Sequence, residues 1–220
     1  MKQCYQDAMA IVRKYGKPDL FITFTCNPRW PEIADNLAAH STASDRPELV
    51  ASVFHGKLRE LIGDITVNRV FCNVLAYVYT IEFQKRGLPH AHILIILADD
   101  GKFRTAEDVD DLVCAYLPDP ATNRRLHACV TSQIKNGPCG RINPQCPCMV
   151  DNSCSKDYPK PYAEETVYVS DGGYPKYRRP DHGQVVLLRN HQVGNEYVVP
   201  HNLYLLAKYD APSMSRCALP

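Results

Sequence analysis

Two histidines one residue apart, His90 and His92, end the run Ile81-Glu82-Phe83-Gln84-Lys85-Arg86-Gly87-Leu88-Pro89-His90-Ala91-His92-Ile93-Leu94-Ile95. On an extended strand side chains alternate between faces, so the two imidazoles project together and Ala91 projects away. Residues 70–83 before them and 93–97 after them read as strands. Residues 85–89 read as the hairpin connection, with Gly87 supplying backbone freedom and Pro89 confined to the strand start. Closing that hairpin puts Glu82 and Gln84 on one face of the partner strand. Two imidazoles and a carboxylate then converge, which makes a divalent-cation site with open positions. His-x-His alone also fits a pair of half-buried polar residues on a sheet face. The acid and amide across the turn favour the cation.

Four of the ten cysteines, Cys139, Cys146, Cys148 and Cys154, crowd a segment rich in proline and glycine. Four thiolates there can hold one structural Zn²⁺, whose binding energy would substitute for a missing apolar core. The spacing is not that of paired Cys-x-x-Cys knuckles, and loop cysteines without a ligand are the alternative. Cys4, Cys26, Cys72, Cys114, Cys129 and Cys217 are scattered, mostly in apolar stretches, and read as inert buried thiols.

The elements that must carry these groups are legible from periodicity. Ala8, Ile11, Val12 and Tyr15 form a helical stripe over residues 4–14, stopped by Gly16. Residues 19–26 are dense in β-branched and aromatic side chains and read as a buried strand. Pro31 opens a short helix, and residues 47–62 make a longer one with Leu49, Val50, Val53, Leu58, Leu61 and Ile62 inward. Thr105 caps a helix expected to reach Leu117, and residues 124–135 form another. Short strands are expected over residues 174–179 and 184–189. The fold class is α+β: a split β-α-β arrangement with a central antiparallel sheet, flanking helices and the histidine strand in the middle. Residues 1–135 form this core, and residues 136–220 a cysteine-rich, zinc-stabilised extension.

Charge is balanced, 25 Lys+Arg against 24 Asp+Glu, so any nucleic-acid surface must be local. Lys85-Arg86, Arg124-Arg125 and residues 176–179 are the basic clusters. No apolar run is long enough for a membrane span, and the start lacks the apolar region of a signal peptide. The expectation is a soluble intracellular protein with no membrane partner.

The hairpin resembles the metal-binding motif of the HUH endonucleases, which nick single-stranded DNA. Further blocks, in order, resemble the helicase-like N-terminal domain of Helitron transposons. They are Tyr5-Gln6-Asp7-Ala8-Met9, the run from Gly16 to Asn27-Pro28, residues 82–95, residues 137–140, Pro147-Cys148-Met149-Val150-Asp151, Cys154-Ser155-Lys156 and Val198-Val199-Pro200. That family is similar to rolling-circle replication initiators. The resemblance implies a Rep-like sheet and a Mg²⁺ or Mn²⁺ ion held by His90, His92 and Glu82, with Gln84 the lesser choice for the third ligand. It implies single-stranded DNA as partner, with Lys85 and Arg86 touching it, a tyrosine nucleophile that stays on the 5′ phosphate, and nuclear localisation. Relatives carry a histidine before the Gly-Pro-Cys-Gly element, where this chain has Asn136; Cys146 is a candidate replacement ligand. Relatives also carry a downstream helicase region, whereas no Gly-x-x-x-x-Gly-Lys-Ser/Thr loop occurs here.

The family's nucleophiles are two tyrosines in a Tyr-x-x-Lys-Tyr pattern. Tyr204 and Tyr209 are five residues apart, which on a helix separates the rings by about 140°. Tyr158 and Tyr162 have the right interval, but Pro159 and Pro161 preclude a helix. Beyond Ala211 the resemblance stops, so the chain is expected to end before its nucleophiles. The resulting reading is the metal-binding part of a Helitron-type transposase, inactive in nicking as this fragment. A non-catalytic zinc-stabilised nucleic-acid-binding module and an inactive transposon relic are the alternatives.

Overall fold

The computed structural model describes residues 2–84, 87–133, 137–168 and 175–217. The chain forms two compact units, Met1–Arg104 with Tyr209–Pro220, and Thr105–Lys208.

In the first unit, helix α1 (Lys2–Tyr15) ends where Gly16 takes φ +97° and donates its N–H to the Val12 carbonyl at 2.9 Å. Strand β1 (Leu20–Thr25) follows, then a single helical turn, α2 (Pro31–Ala34). Helix α3 (Pro47–Thr66) buries Val50, Phe54, Leu58, Leu61 and Ile65, a stripe that continues one turn past the expected end at Ile62. Each such side chain contributes about 1.5–3 kcal/mol by leaving water. Strands β2 (Val74–Phe83) and β3 (Pro89–Leu97) make the expected hairpin. Its closing bonds are Gln84 N–H to Leu88 O at 3.0 Å and Gly87 N–H to Gln84 O at 2.8 Å.

These strands join an antiparallel sheet of order β2-β3-β1-β8, in which β8 is Ser213–Cys217. The histidine strand is therefore interior. Leu20, Ile22 and Phe24 pair with Ile95, Ile93 and Ala91 on one face, all of them buried. There Phe24 stacks on Phe54 of α3 at 5.5 Å. The opposite face carries Phe21, Thr23 and Thr25 of β1 beside Leu94, His92 and His90 of β3.

Strand β8 departs from the sequence reading. Ser-Met-Ser-Arg-Cys has neither apolar alternation nor β-branched residues, and the segment was assigned to the extension. It becomes a strand because β1 offers it an unpaired edge, with Leu20 opposite Cys217 and Phe24 opposite Ser213.

In the second unit, Thr105 caps helix α4 (Ala106–Leu112), its hydroxyl accepting the Asp108 N–H and the Asp108 carboxylate the Thr105 N–H. The helix stops at Leu112 rather than Leu117 because the Cys114 backbone pairs with His201, N–H to O, at 2.8 and 2.9 Å. Helix α5 (Arg124–Gln133), hairpin β4–β5 (Met149–Val150, Ser153–Cys154) and hairpin β6–β7 (Val186–Leu188, His191–Val193) follow. Helix α6 (Leu203–Tyr209) leads back to the first unit. Of the strand expected over residues 174–179, Lys176 and Arg179 make isolated bridges to Val167 and Ala163.

Regular structure is sparse here, and side chains bind backbone in its place. The buried Arg179 donates from Nη1 to the carbonyls of Ala115 at 3.1 Å, Val198 at 2.7 Å, and Asn195. One apolar cluster joins Leu117, Cys129 and Val130 to Val198 and Leu206. A second gathers Cys139, Cys154, Tyr158, Val193 and Tyr197. The boundary expected near residue 135 thus lies inside this unit, since α5 packs on residues that follow it. Among the described residues no helix is long and apolar enough to cross a membrane.

Candidate metal centres

Among the described residues, two groups of side chains can hold a metal ion: Glu82, His90 and His92 in the first unit, and Cys139, Cys148 and Cys154 in the second.

The first group follows from pleat and register. His90 lies opposite Glu82 across the β2–β3 hairpin, and one ligand atom from each of the three residues falls within 4.8 Å of the others. His92 Nε2 is 3.1 Å from Glu82 Oε1. Adjacent ligands of an octahedral ion with bonds near 2.1 Å lie about 3.0 Å apart, so this pair has coordination spacing. The two imidazoles meet edge to face, with centroids 4.6 Å apart at 80°. His90 is buried while the Glu82 side chain is 61% exposed, so the group opens to solvent on the carboxylate side. Burial and then the neighbouring His92 hold the His90 pKa below its ordinary value, against a smaller pull from Glu82. A neutral imidazole is the form that coordinates.

Two residues that sequence reasoning missed touch these rings. Thr25 Oγ1 lies 2.5 Å from His90 Nδ1, and Phe21 stacks on His92 at 5.6 Å and 14°. The alternation of Phe21, Thr23 and Thr25 with the apolar Leu20, Ile22 and Phe24 was the available signal. It marks a second face on β1, though not which residue of β3 it meets.

Gln84 closes the hairpin through its backbone, and its side chain is exposed beyond the paired strands. Lys85 and Arg86, named as DNA contacts, lie outside the described residues, as does Asn136.

Tyr209 is not brought to the histidines. It packs edge-on against Phe24 at 5.6 Å, on the opposite face of the sheet, and its hydroxyl donates to Asp64 Oδ2 at 2.6 Å. Trp30 Nε1–H binds its carbonyl at 2.7 Å, and Asn27 Nδ2–H binds the Asp210 carbonyl at 2.7 Å. The Asn27-to-Trp30 segment thus straps residues 209–210 to the end of β1. Tyr204 belongs to the second unit and is exposed. Tyr158 is buried in the cysteine cluster, and Tyr162 donates to Glu196 Oε2 at 2.6 Å.

The cysteine group is assembled by hairpin β4–β5. Asp151 and Asn152 take φ +49° and +62°, the backbone of a tight two-residue turn, and Ser155 N–H binds the Cys148 carbonyl at 2.8 Å. Cys148 and Cys154 thereby meet at the hairpin mouth, and Cys139 joins them from the Gly-Pro-Cys-Gly loop. Their sulfurs lie within 4.8 Å of one another, against about 3.8 Å in a tetrahedral site with 2.3 Å Zn–S bonds. Cys146 falls outside the mutual set, yet its Sγ is 3.4 Å from that of Cys148, which makes it the available fourth ligand.

Burial raises the pKa of Cys139, and burial with the three neighbouring thiols pushes Cys148 up to about 12. Burial also acts upward on Cys154, but hydrogen bonds from the Tyr158 and Lys156 backbones and from the thiols of Cys148 and Cys139 hold it below the ordinary value. Three clustered cysteine sulfurs with a fourth beside them are a donor set suited to a thiophilic ion such as zinc.

No curated protein matches the chain at a significant level. The family comparison ends inside β3, after both histidines, and so takes in β1, α3 and the Glu82 strand but not the cysteine group: residues 1–95 match the model of the family described as the Helitron helicase-like domain at the N-terminus.

Proposed function

We propose that the protein is the metal-binding part of a Helitron-type rolling-circle transposase, acting on single-stranded DNA in the nucleus, with a site of the HUH type. The observation that carries this reading is the convergence of Glu82, His90 and His92 on one face of the β2–β3 hairpin, within the residues that match the Helitron family. These three residues would hold Mg²⁺ or Mn²⁺, and imidazole donors favour the latter. When bound, such an ion polarises a scissile phosphate and offsets the charge that develops during strand cleavage. The chain's own part is to hold the ion. Glu82 supplies the anionic ligand from the exposed edge strand, and the sheet keeps both imidazoles on one side. Tyr209 is not the nucleophile in this reading, because its hydroxyl is committed to Asp64 on the other face.

The test is Mn²⁺ titration with a single-stranded oligonucleotide present. The protein is expected to bind Mn²⁺, and His90→Ala with His92→Ala to abolish that binding while leaving the fold intact. A covalent DNA adduct that disappears on Tyr209→Phe would overturn the placement of the nucleophile elsewhere.

The cysteine group favours a second reading, a non-catalytic zinc-stabilised nucleic-acid-binding module. It predicts salt-sensitive DNA binding that survives the double histidine substitution.

A further inference from the structure

We propose that Thr25 is a positioning residue: its hydroxyl oxygen accepts a hydrogen bond from His90 Nδ1–H and so leaves Nε2 for the cation. This rests on the metal-site reading above. Thr25 sits directly opposite His90 in the β1–β3 register, with Oγ1 2.5 Å from Nδ1. A ring nitrogen so engaged is not free to coordinate, which leaves Nε2 as the ligand atom. A neutral imidazole has one N–H; held on Nδ1, it leaves the Nε2 lone pair free. The hydroxyl is itself fixed by the sheet. Thr25 N–H binds the Pro212 carbonyl at 3.1 Å, and Cys26 N–H binds the Pro89 carbonyl at 3.0 Å, so β1 is tied on both sides at this residue.

The two histidines are oriented by different means. His92 Nδ1 is buried with no hydrogen-bond partner among the described residues, and its ring is held by stacking on Phe21. His92 meets Glu82 through Nε2, within the ligand set, whereas His90 is the one with a polar partner outside it. Orienting partners of metal-bound histidines are worth about 10–100-fold in metal affinity, so removing the Thr25 hydroxyl should act through His90 alone.

The experiment compares wild type, Thr25→Ser and Thr25→Val as full chains. Mn²⁺ affinity is read by electron paramagnetic resonance of free Mn²⁺, and the His90 tautomer by ¹⁵N–¹H long-range correlation in the metal-free protein. Wild type and Thr25→Ser are expected to show the Nδ1–H form and affinities within about twofold. Thr25→Val is expected to show mixed tautomers and an affinity about 10–100-fold weaker. A wild-type His90 in the Nε2–H form overturns the inference whether or not Thr25→Val folds. So does a Thr25→Val protein with unchanged affinity and tautomer. A wild type that takes up no Mn²⁺ defeats the metal reading itself, and this inference with it.

Discussion

At the scale of single residues, polar groups buried without charge partners define how the chain responds to pH. His201 is fully buried; its Nδ1–H donates to the Val199 carbonyl at 3.0 Å, and its Nε2 has no partner among the described residues. Burial lowers its pKa to about 4, from 6.5 in an exposed histidine. Between those values the unfolded chain binds a proton that the folded chain refuses. Stability should therefore be full above pH 6.5 and fall as pH drops towards 4, by about 3 kcal/mol from this residue. Urea midpoints at pH 7.5 and 4.5 test this. His201→Leu should lower the midpoint at pH 7.5 yet reduce the loss on acidification, and an unchanged loss would refute the assignment. Residue identity alone did not distinguish His201 from His90. One histidine is enclosed by packing, whereas the other stands beside an exposed carboxylate.

At the scale of elements, the sequence was most readable where contacts are local. The β2–β3 hairpin and its Glu82, His90 and His92 needed only the two-residue pleat and a five-residue turn. The β4–β5 hairpin was not read at all, because two-residue strands carry no periodicity. Its meeting of Cys148 with Cys154 depends on positive φ at Asp151 and Asn152. The Gly-Pro-Cys-Gly loop beside it is tightly constrained. Gly137 has φ +96°, and a Cβ there would lie 2.8 Å from the Tyr197 ring. That ring is buried, faces Tyr158 and donates its hydroxyl to the Cys139 carbonyl at 3.3 Å, so it has nowhere to retreat. Gly137→Ala should cost about 1–3 kcal/mol in backbone strain alone. It should also weaken Zn²⁺ binding in a chelator competition, and wild-type affinity would show that the loop does not position Cys139.

At the scale of the whole molecule, the two units draw on different sources of stability. The first has a sheet packed on α3 through Phe24, Phe54 and their neighbours. The second has small clusters, the Arg179 hydrogen bonds and the cysteine group. Removing metal with a strong chelator should therefore strip amide-exchange protection from residues 139–158 while the β1 and β3 amides keep theirs. Equal loss in both units, or none in either, would count against a structural zinc. Composition predicted a boundary at the onset of the proline- and cysteine-rich stretch. The division falls at Thr105 instead, because Cys129 and Val130 of α5 pack on Val198 and Leu206 far along the chain.

The sequence by itself determined that two imidazoles and a carboxylate converge and that four thiols crowd one loop region, since both follow from short spacings and local turns. Only the tertiary structure decided that Thr25 reaches His90, that residues 213–217 complete the sheet, and that Tyr209 sits on the face away from the histidines. Those outcomes hang on strand register and edge pairing between segments more than 60 residues apart. The free energy that selects them comes from burying the apolar face of β1 and β3, which no local pattern encodes.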